Sequence, residues 1–351
     1  MKLHDNWVME HVPHEQRIWT LTLYAAHLAT GSTLMCKSIC AATIETYVWD
    51  TAKFLRLFID RDPRKVNDLD GKLAPPLRAV IDMVKRVENM RDLREPFTWE
   101  MWEALNTSVE HGAHLDSLNG ALCNWFGKGL YSGPRLSEWA QHDPQALLGS
   151  HLCDKLGVPL AFTLADLEFR GPRNTRMTLQ QAFNMPEAQL ERAIVCFSHQ
   201  KNGEHGEKRH FTKNTGRPDR CCVRFLYCIF HRYVRLLGWS TSQPLSVYKT
   251  TDGTVKNIVA NDIATVMRAL ACQVYNLDPV KDKEAVQHWS SHSLRVGACV
   301  ILHTMGFSGP QIQFILRWKS QAFMSYLRNL AILSDSQNRA MADLATMPNI
   351  I

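Results

Sequence analysis

The chain has 351 residues, 45% of them hydrophobic and 21% charged, a soluble globular composition with enough length for two domains. Disorder and a coiled coil are excluded as the dominant state, and no apolar run reaches the roughly eighteen residues of a transmembrane helix. Forty basic residues against thirty-four acidic ones leave +6, and that excess falls within positions 201–235, where nine basic residues meet Glu204, Glu207 and Asp219, a pattern of either a polyanion-binding face or a solvated one.

The opening MKLHDNWVMEHVPHEQR lacks the apolar core of a secretory signal, so an intracellular protein is expected, nuclear if the host is eukaryotic and otherwise cytoplasmic. Apolar residues at three- and four-residue spacing predict helices over 15–30 and 41–58, the second marked by Ile44, Tyr47, Val48, Phe54, Leu55 and Phe58. Pro63 breaks that pattern, and Pro75 and Pro76 open a further helix reaching about position 87. A charged stretch then ends at Pro96. Thr98 ahead of Glu100 suits the N-terminus of the next helix, beginning at Trp99. A boundary near position 96 divides the chain into a helical domain, 1–95, and a larger domain, 96–351.

In the larger domain a helix is expected over 118–130, and SGPRLSEWA turns into another. A short strand at 162–169 and an apolar run at 193–198 precede HQKNGEHGEKRHF, whose Asn-Gly and Gly206 fit a hairpin. A helix follows over 221–237 with Gly238 past its end. Further helices are expected near 261–276, 292–305, 310–317 and 321–332. After a polar break at Ser334, Asp335 and Ser336, the spacing of Met341, Leu344 and Ala345 predicts a short helix with one apolar face, too short to stand alone. The fold class is therefore mainly α with a small antiparallel β-sheet. The ten cysteines include no CxxC pair and read as small buried hydrophobes in a reducing interior. Cys221, Cys222, Cys228 and His231 are the nearest approach to a zinc set, but without paired knuckles no metal is expected.

The segment SHSLRVGACVILHTMGFSGPQIQFILRWKSQAFMSYLRN carries the densest chemistry. His292 and Arg295, three apart at a helix start, project from one face. Trp318 ends a short helix and Tyr326 follows on the next. Upstream, Arg135 and Glu138 sit together in GPRLSE, and Lys201 lies on the hairpin between the two segments. In this order the residues resemble the tyrosine recombinase (phage integrase) superfamily: Arg135, Lys201, His292 with Arg295, Trp318 and Tyr326 match its Arg, Lys, His-x-x-Arg, His/Trp, Tyr series, and GPRLSE is similar to its G-x-R-x-S-E element. The QKNGEHGE hairpin and the tryptophan lean toward recombinases of Crypton-type eukaryotic mobile elements.

The resemblance implies a core-binding domain at 1–95 and a catalytic domain at 96–351 that together clamp duplex DNA. It implies strand cleavage and religation by transesterification through a 3′-phosphotyrosyl intermediate. Tyr326 is then the nucleophile, Arg135, Arg295 and Trp318 the donors to the phosphate, Lys201 the general acid and His292 the aid to proton transfer, while Glu138 orients a cationic neighbour. Such chemistry stabilises a pentavalent phosphorane of increased negative charge, a task suited to planar guanidinium forks. Lys208, Arg209, Lys213, Arg217 and Arg220 are the expected phosphate contacts. The expected partners are double-stranded DNA and a homo-tetramer on paired sites, with no membrane, no small-molecule substrate, no cofactor and no metal. The long 142–192 stretch between Arg135 and Lys201 leaves Lys208 and Lys213 as rivals of Lys201. A type IB topoisomerase and a domesticated DNA-binding protein stay open as alternatives.

Overall fold

The computed structural model describes residues 9–30, 39–69, 71–87, 94–111, 115–141, 153–154, 157, 159–200, 205–318 and 323–327. Lys201 and the helix expected about Met341 lie outside them. The chain forms two compact units, Met1–Asp92 and Leu93–Ile351. No helix of the described residues is long and apolar enough to cross a membrane.

The first unit is built from α1 (His14–Ala29), α2 (Ala41–Leu55) and α3 (Pro75–Val87). Pro75 and Pro76 occupy the first turn of α3, where the missing N–H groups have no intrahelical partner to lose. Leu21, Ala25 and Leu28 of α1 meet Ile44, Val48 and Ala52 of α2 and Leu77 and Ile81 of α3 in one core. The stripe that α2 buries is narrower than its aromatic spacing predicts. Tyr47, Phe54 and Phe58 are 44%, 57% and 46% exposed. Tyr47 and Phe54 each precede a buried residue by one position, and one residue turns a helix by about 100°, off the packed face.

The second unit is mainly helical with a small antiparallel sheet, as the sequence leads one to expect. Its first helices are α4 (Trp99–His111), α5 (Leu118–Ser132) and the single turn α6 (Leu136–Trp139). Strands β1 (Leu167–Arg170), β2 (Arg192–Phe197) and β3 (Glu207–Thr212) pair in that order, with Val195 opposite Leu167 on one side and Arg209 on the other. The short α7 (Leu179–Asn184) lies between β1 and β2, and α8 (Cys222–Leu237) follows β3. A two-stranded hairpin, β4 (Val247–Lys249) and β5 (Val255–Asn257), leads into α9 (Ala260–Tyr275) and α10 (Lys283–Val286). The last described elements are α11 (Ser293–Thr304), α12 (Gly309–Leu316) and α13 (Met324–Leu327).

Helix α5 is apolar nearly all round and is therefore buried on most of its faces. Its aromatics join those of neighbouring elements: Trp125 stacks on Trp139 at 5.1 Å between ring centroids, and Phe126 meets Phe97 edge-on at 4.8 Å. A separate cluster of Val296, Ala298, Cys299, Ile312, Leu316, Phe323 and Leu327 binds α11, α12 and α13 together, with Trp318 and Tyr326 packed against it. This second cluster fixes where the C-terminal aromatics stand.

Candidate active site

Five residues distant in sequence line one shallow cavity of about 340 Å³: Arg135, His292, Arg295, Trp318 and Tyr326, with Pro134, Leu136 and Ser291. Local sequence explains each placement. Helix α5 ends at Gly133, whose left-handed backbone (φ 48°) suits glycine and turns the chain sharply. Arg135 then forms the N-cap of α6 rather than a position inside it. The Glu138 carboxylate reaches back to accept from the Arg135 backbone N–H at 2.8 Å and from its Nη1 at 2.9 Å.

His292 is the N-cap of α11 and Arg295 lies in that helix's first turn. Arg295 is 3% exposed. Its Nη1 donates to the Gly133 carbonyl at 2.5 Å and its Nη2 to the Leu316 carbonyl at 2.7 Å, tying the end of α5 to the end of α12. Each of these nitrogens carries a second N–H. Its guanidinium carbon lies 4.7 Å from the centre of the Trp318 ring, a cation–π arrangement. Trp318 in turn stacks on Phe323, at 5.5 Å, and tilts against Tyr326, at 5.7 Å.

The Tyr326 hydroxyl and His292 Nε2 are 2.7 Å apart. His292 keeps an exposed edge, yet crowding by neighbouring atoms, followed by repulsion from Arg295 and Arg94, holds its pKa down to about 4. The imidazole is neutral at physiological pH and able to take a proton from the phenol. Burial first, then the neighbouring cations Arg135 and Arg317, press Arg295 down to about 9, still protonated at neutral pH. Arg135 and Arg317 both pair with Glu138, and Arg295 lies near enough to feel the same carboxylate, so three guanidinium groups share one negative charge and the site carries an excess of positive charge.

Of the remaining residues singled out in the sequence, Lys208 projects from the outer face of β3, its side chain 57% exposed and 4.0 Å from Glu168. Arg209, one residue on, turns inward because strand side chains alternate. It pairs with Glu207 at 2.5 Å, donates to the Phe314 carbonyl and lies 4.4 Å over the Phe314 ring. Lys213 donates to the Ala188 carbonyl at 2.6 Å. Arg217 pairs with Asp219 at 2.8 Å, and Arg220 pairs with Glu103 and lies over Trp99. Much of the basic window is thus engaged by carboxylates and carbonyls. Cys221 and Cys222 are buried, and the His231 ring is stacked on Phe183 at 4.4 Å.

Among the buried cations that the sequence did not single out, two lie near Glu138. Arg317 has a fully covered side chain and a 2.8 Å bond to Glu138. Lys128 on α5 is 0% exposed, its Nζ 4.5 Å over the Phe162 ring and without a hydrogen-bond partner among the described residues. A lone charge in the apolar run NWFGKGLY was the available signal for Lys128; Arg317 offered none beyond its place before Trp318. Burial presses the Lys128 ammonium from 10.5 down to about 7. Between those values the unfolded chain holds a proton that the folded one does not, so this residue makes stability rise with pH across that window. Below about pH 7 the full penalty of a buried charge applies. Lys128→Met is therefore expected to stabilise the protein by about 1–4 kcal/mol at pH 6, with the gain shrinking toward pH 10. Chemical denaturation of both proteins at the two pH values checks this, and an equal gain at both would assign it to packing instead.

No protein-family model and no curated protein matches the chain. Among solved structures it is similar to the Tn1549 transposon integrase in complex with transposon right end DNA, at 13% identity over 94% of this chain and 85% of that one, with a TM-score of 0.44. It is similar to the same integrase in complex with circular intermediate DNA, at 14% identity over 92% of this chain and 84% of that one, with a TM-score of 0.41. XerA recombinase also resembles it, at 14% identity over 95% of this chain and all of that one, with a TM-score of 0.38.

Proposed function

We propose that the chain is a site-specific DNA recombinase of the tyrosine type, cutting and rejoining duplex DNA through a 3′-phosphotyrosyl intermediate. The observation that carries this reading is the 2.7 Å contact between the Tyr326 hydroxyl and His292 Nε2, on a cavity also lined by Arg135, Arg295 and Trp318. A phenol ionises near pH ~10, so a nucleophilic tyrosine needs a base within reach and cations around its target.

In the forward step the Tyr326 oxygen attacks the scissile phosphorus and its proton passes to His292 Nε2. The bond from phosphorus to the 5′ oxygen breaks, and Lys201 returns a proton to that oxygen. Arg135 and Arg295 carry the charge that builds on the non-bridging oxygens. The phosphotyrosyl ester retains the bond energy, so a second 5′ hydroxyl religates the strand by the reverse route. Residues 1–95 serve as the core-binding domain. Lys208, with Arg209, Lys213, Arg217 and Arg220, contributes phosphate contacts, and four copies assemble on paired sites.

A nicked suicide substrate tests the reading. Cleavage close to a nick releases by diffusion the short fragment that ends in the freed 5′ hydroxyl, which leaves the protein attached to the 3′ phosphate. The expected result is a covalent adduct whose modified peptide contains Tyr326. Absence of an adduct on every candidate site, or attachment through another residue, would overturn the reading. Relaxation of supercoiled DNA by the monomer without exchange between paired sites would move the protein to the topoisomerase class.

A further inference from the structure

The residue before Trp318 is an arginine in a conformation that arginine rarely adopts. Arg317 has φ 57° and ψ 50°, the left-handed region, where a side chain crowds the backbone and only glycine is free of the penalty. It ends α12, and its side chain is 0% exposed. The guanidinium carbon sits 3.5 Å over the Phe197 ring. Nη2 donates to Glu138 Oε2 at 2.8 Å and Nη1 to the Ser132 carbonyl at 3.3 Å. A buried cation in an unfavourable backbone state persists only where its surroundings hold it there.

Those surroundings lead to Arg135. Glu138 Oε2 accepts both from Arg317 and from the Arg135 backbone N–H, while its Oε1 accepts from Arg135 Nη1. The Arg317 carbonyl lies 3.4 Å from Arg135 Nη2. One residue thus meets Arg135 twice, through its own backbone and through the carboxylate that they share. We infer that Arg317 is a positioning residue for strand cleavage: by sharing Glu138 it fixes the Arg135 fork and keeps that carboxylate from neutralising it. This rests on the reading of the cavity as a strand-cleavage site. With one cation on Glu138 instead of two, the carboxylate belongs to Arg135 alone and draws its guanidinium away from the phosphate.

The left-handed backbone supplies a clean test. Arg317→Gly removes the guanidinium and relieves the backbone strain together. Because the Arg317 side chain is fully buried, the expected change is in the rate constant of single-turnover adduct formation, a fall of about 10–100-fold. The adduct amplitude and the single-site Kd stay within about twofold, which a merely unfolding variant would not achieve since it loses amplitude. Arg317→Lys, which keeps the charge beside Glu138, recovers part of the rate. Glu138→Gln slows cleavage too, and the double variant is no slower than the slower single one, as two members of one path require. A wild-type rate in Arg317→Gly, a fall in amplitude alone, or multiplicative effects in the double variant each overturn the inference. If the glycine variant does not fold, the same measurements on Arg317→Lys and Arg317→Gln decide. Wild-type protein forming no Tyr326 adduct brings down the strand-cleavage reading and this inference with it; a normal wild-type adduct beside an unaffected Arg317→Gly brings down the inference alone.

Discussion

Tyr326→Phe is expected to bind its DNA site with wild-type affinity and to form no covalent adduct, the largest change that a single oxygen in this protein can produce. The phenyl ring keeps the packing of Tyr326 against Trp318, 5.7 Å away, and His292, 5.4 Å away. What disappears is the hydroxyl 2.7 Å from His292 Nε2, and with it the proposed nucleophile. Arg295→Ala belongs to the same experiment and separates the nucleophile from the charge that supports it. Loss of one preorganised donor to a developing oxyanion costs about 10²–10³ in rate. The variant also leaves the Gly133 and Leu316 carbonyls without their buried donor, so its melting temperature falls as well. Arg295→Lys does not restore the rate, since one ammonium cannot reach both carbonyls and also present a planar fork to a phosphate. Persistent adduct in Tyr326→Phe would assign the nucleophile elsewhere, and an unchanged rate in Arg295→Ala would remove that arginine from the chemistry.

Gly297→Ala is expected to be the most damaging single methyl group in the second unit. An added Cβ would stand 2.0 Å from the Phe97 carbonyl oxygen. The obstacle is backbone, fixed by the bond from the Phe97 N–H to the Ser293 carbonyl at 3.0 Å and by the fully buried Phe97 ring. Relief therefore requires α11 itself to move, and α11 carries Arg295 and starts at His292. Overpacking of this kind costs about 3 kcal/mol or more, which for a domain of this size lowers the melting temperature by roughly 6–12 °C. Cleavage falls with it, because the cavity residues shift relative to Tyr326. Calorimetry decides the point: a melting temperature within about 2 °C of wild type would mean that α11 has room beside Phe97.

What lay open in the sequence was whatever depends on neighbours a few residues apart. Helical spacing at 221–237 and 261–276, the paired prolines that open α3 and the Asn-Gly signal ahead of β3 all report local backbone preference, and local preference needs no partner from elsewhere. The group of Arg135, His292, Arg295, Trp318 and Tyr326 was legible only through its resemblance to a known family's ordered series, since local spacing pairs His292 with Arg295 but cannot bring residues 135 and 326 to one cavity. Charge and exposure were another matter. The window 201–235 counts as +6 along the chain, yet Glu103 from α4 lies against Arg217 and Arg220, and Asp116, ahead of α5, lies against Arg235. A carboxylate a hundred residues away cannot be subtracted until the chain has folded. The same holds for the α2 aromatics, whose exposure depended on which 100° of the helix its neighbours covered. It holds above all for Arg317 and Lys128, ordinary cations in the sequence whose character comes from burial. Only the packed structure could strip their water and set one beside Glu138 and the other over Phe162.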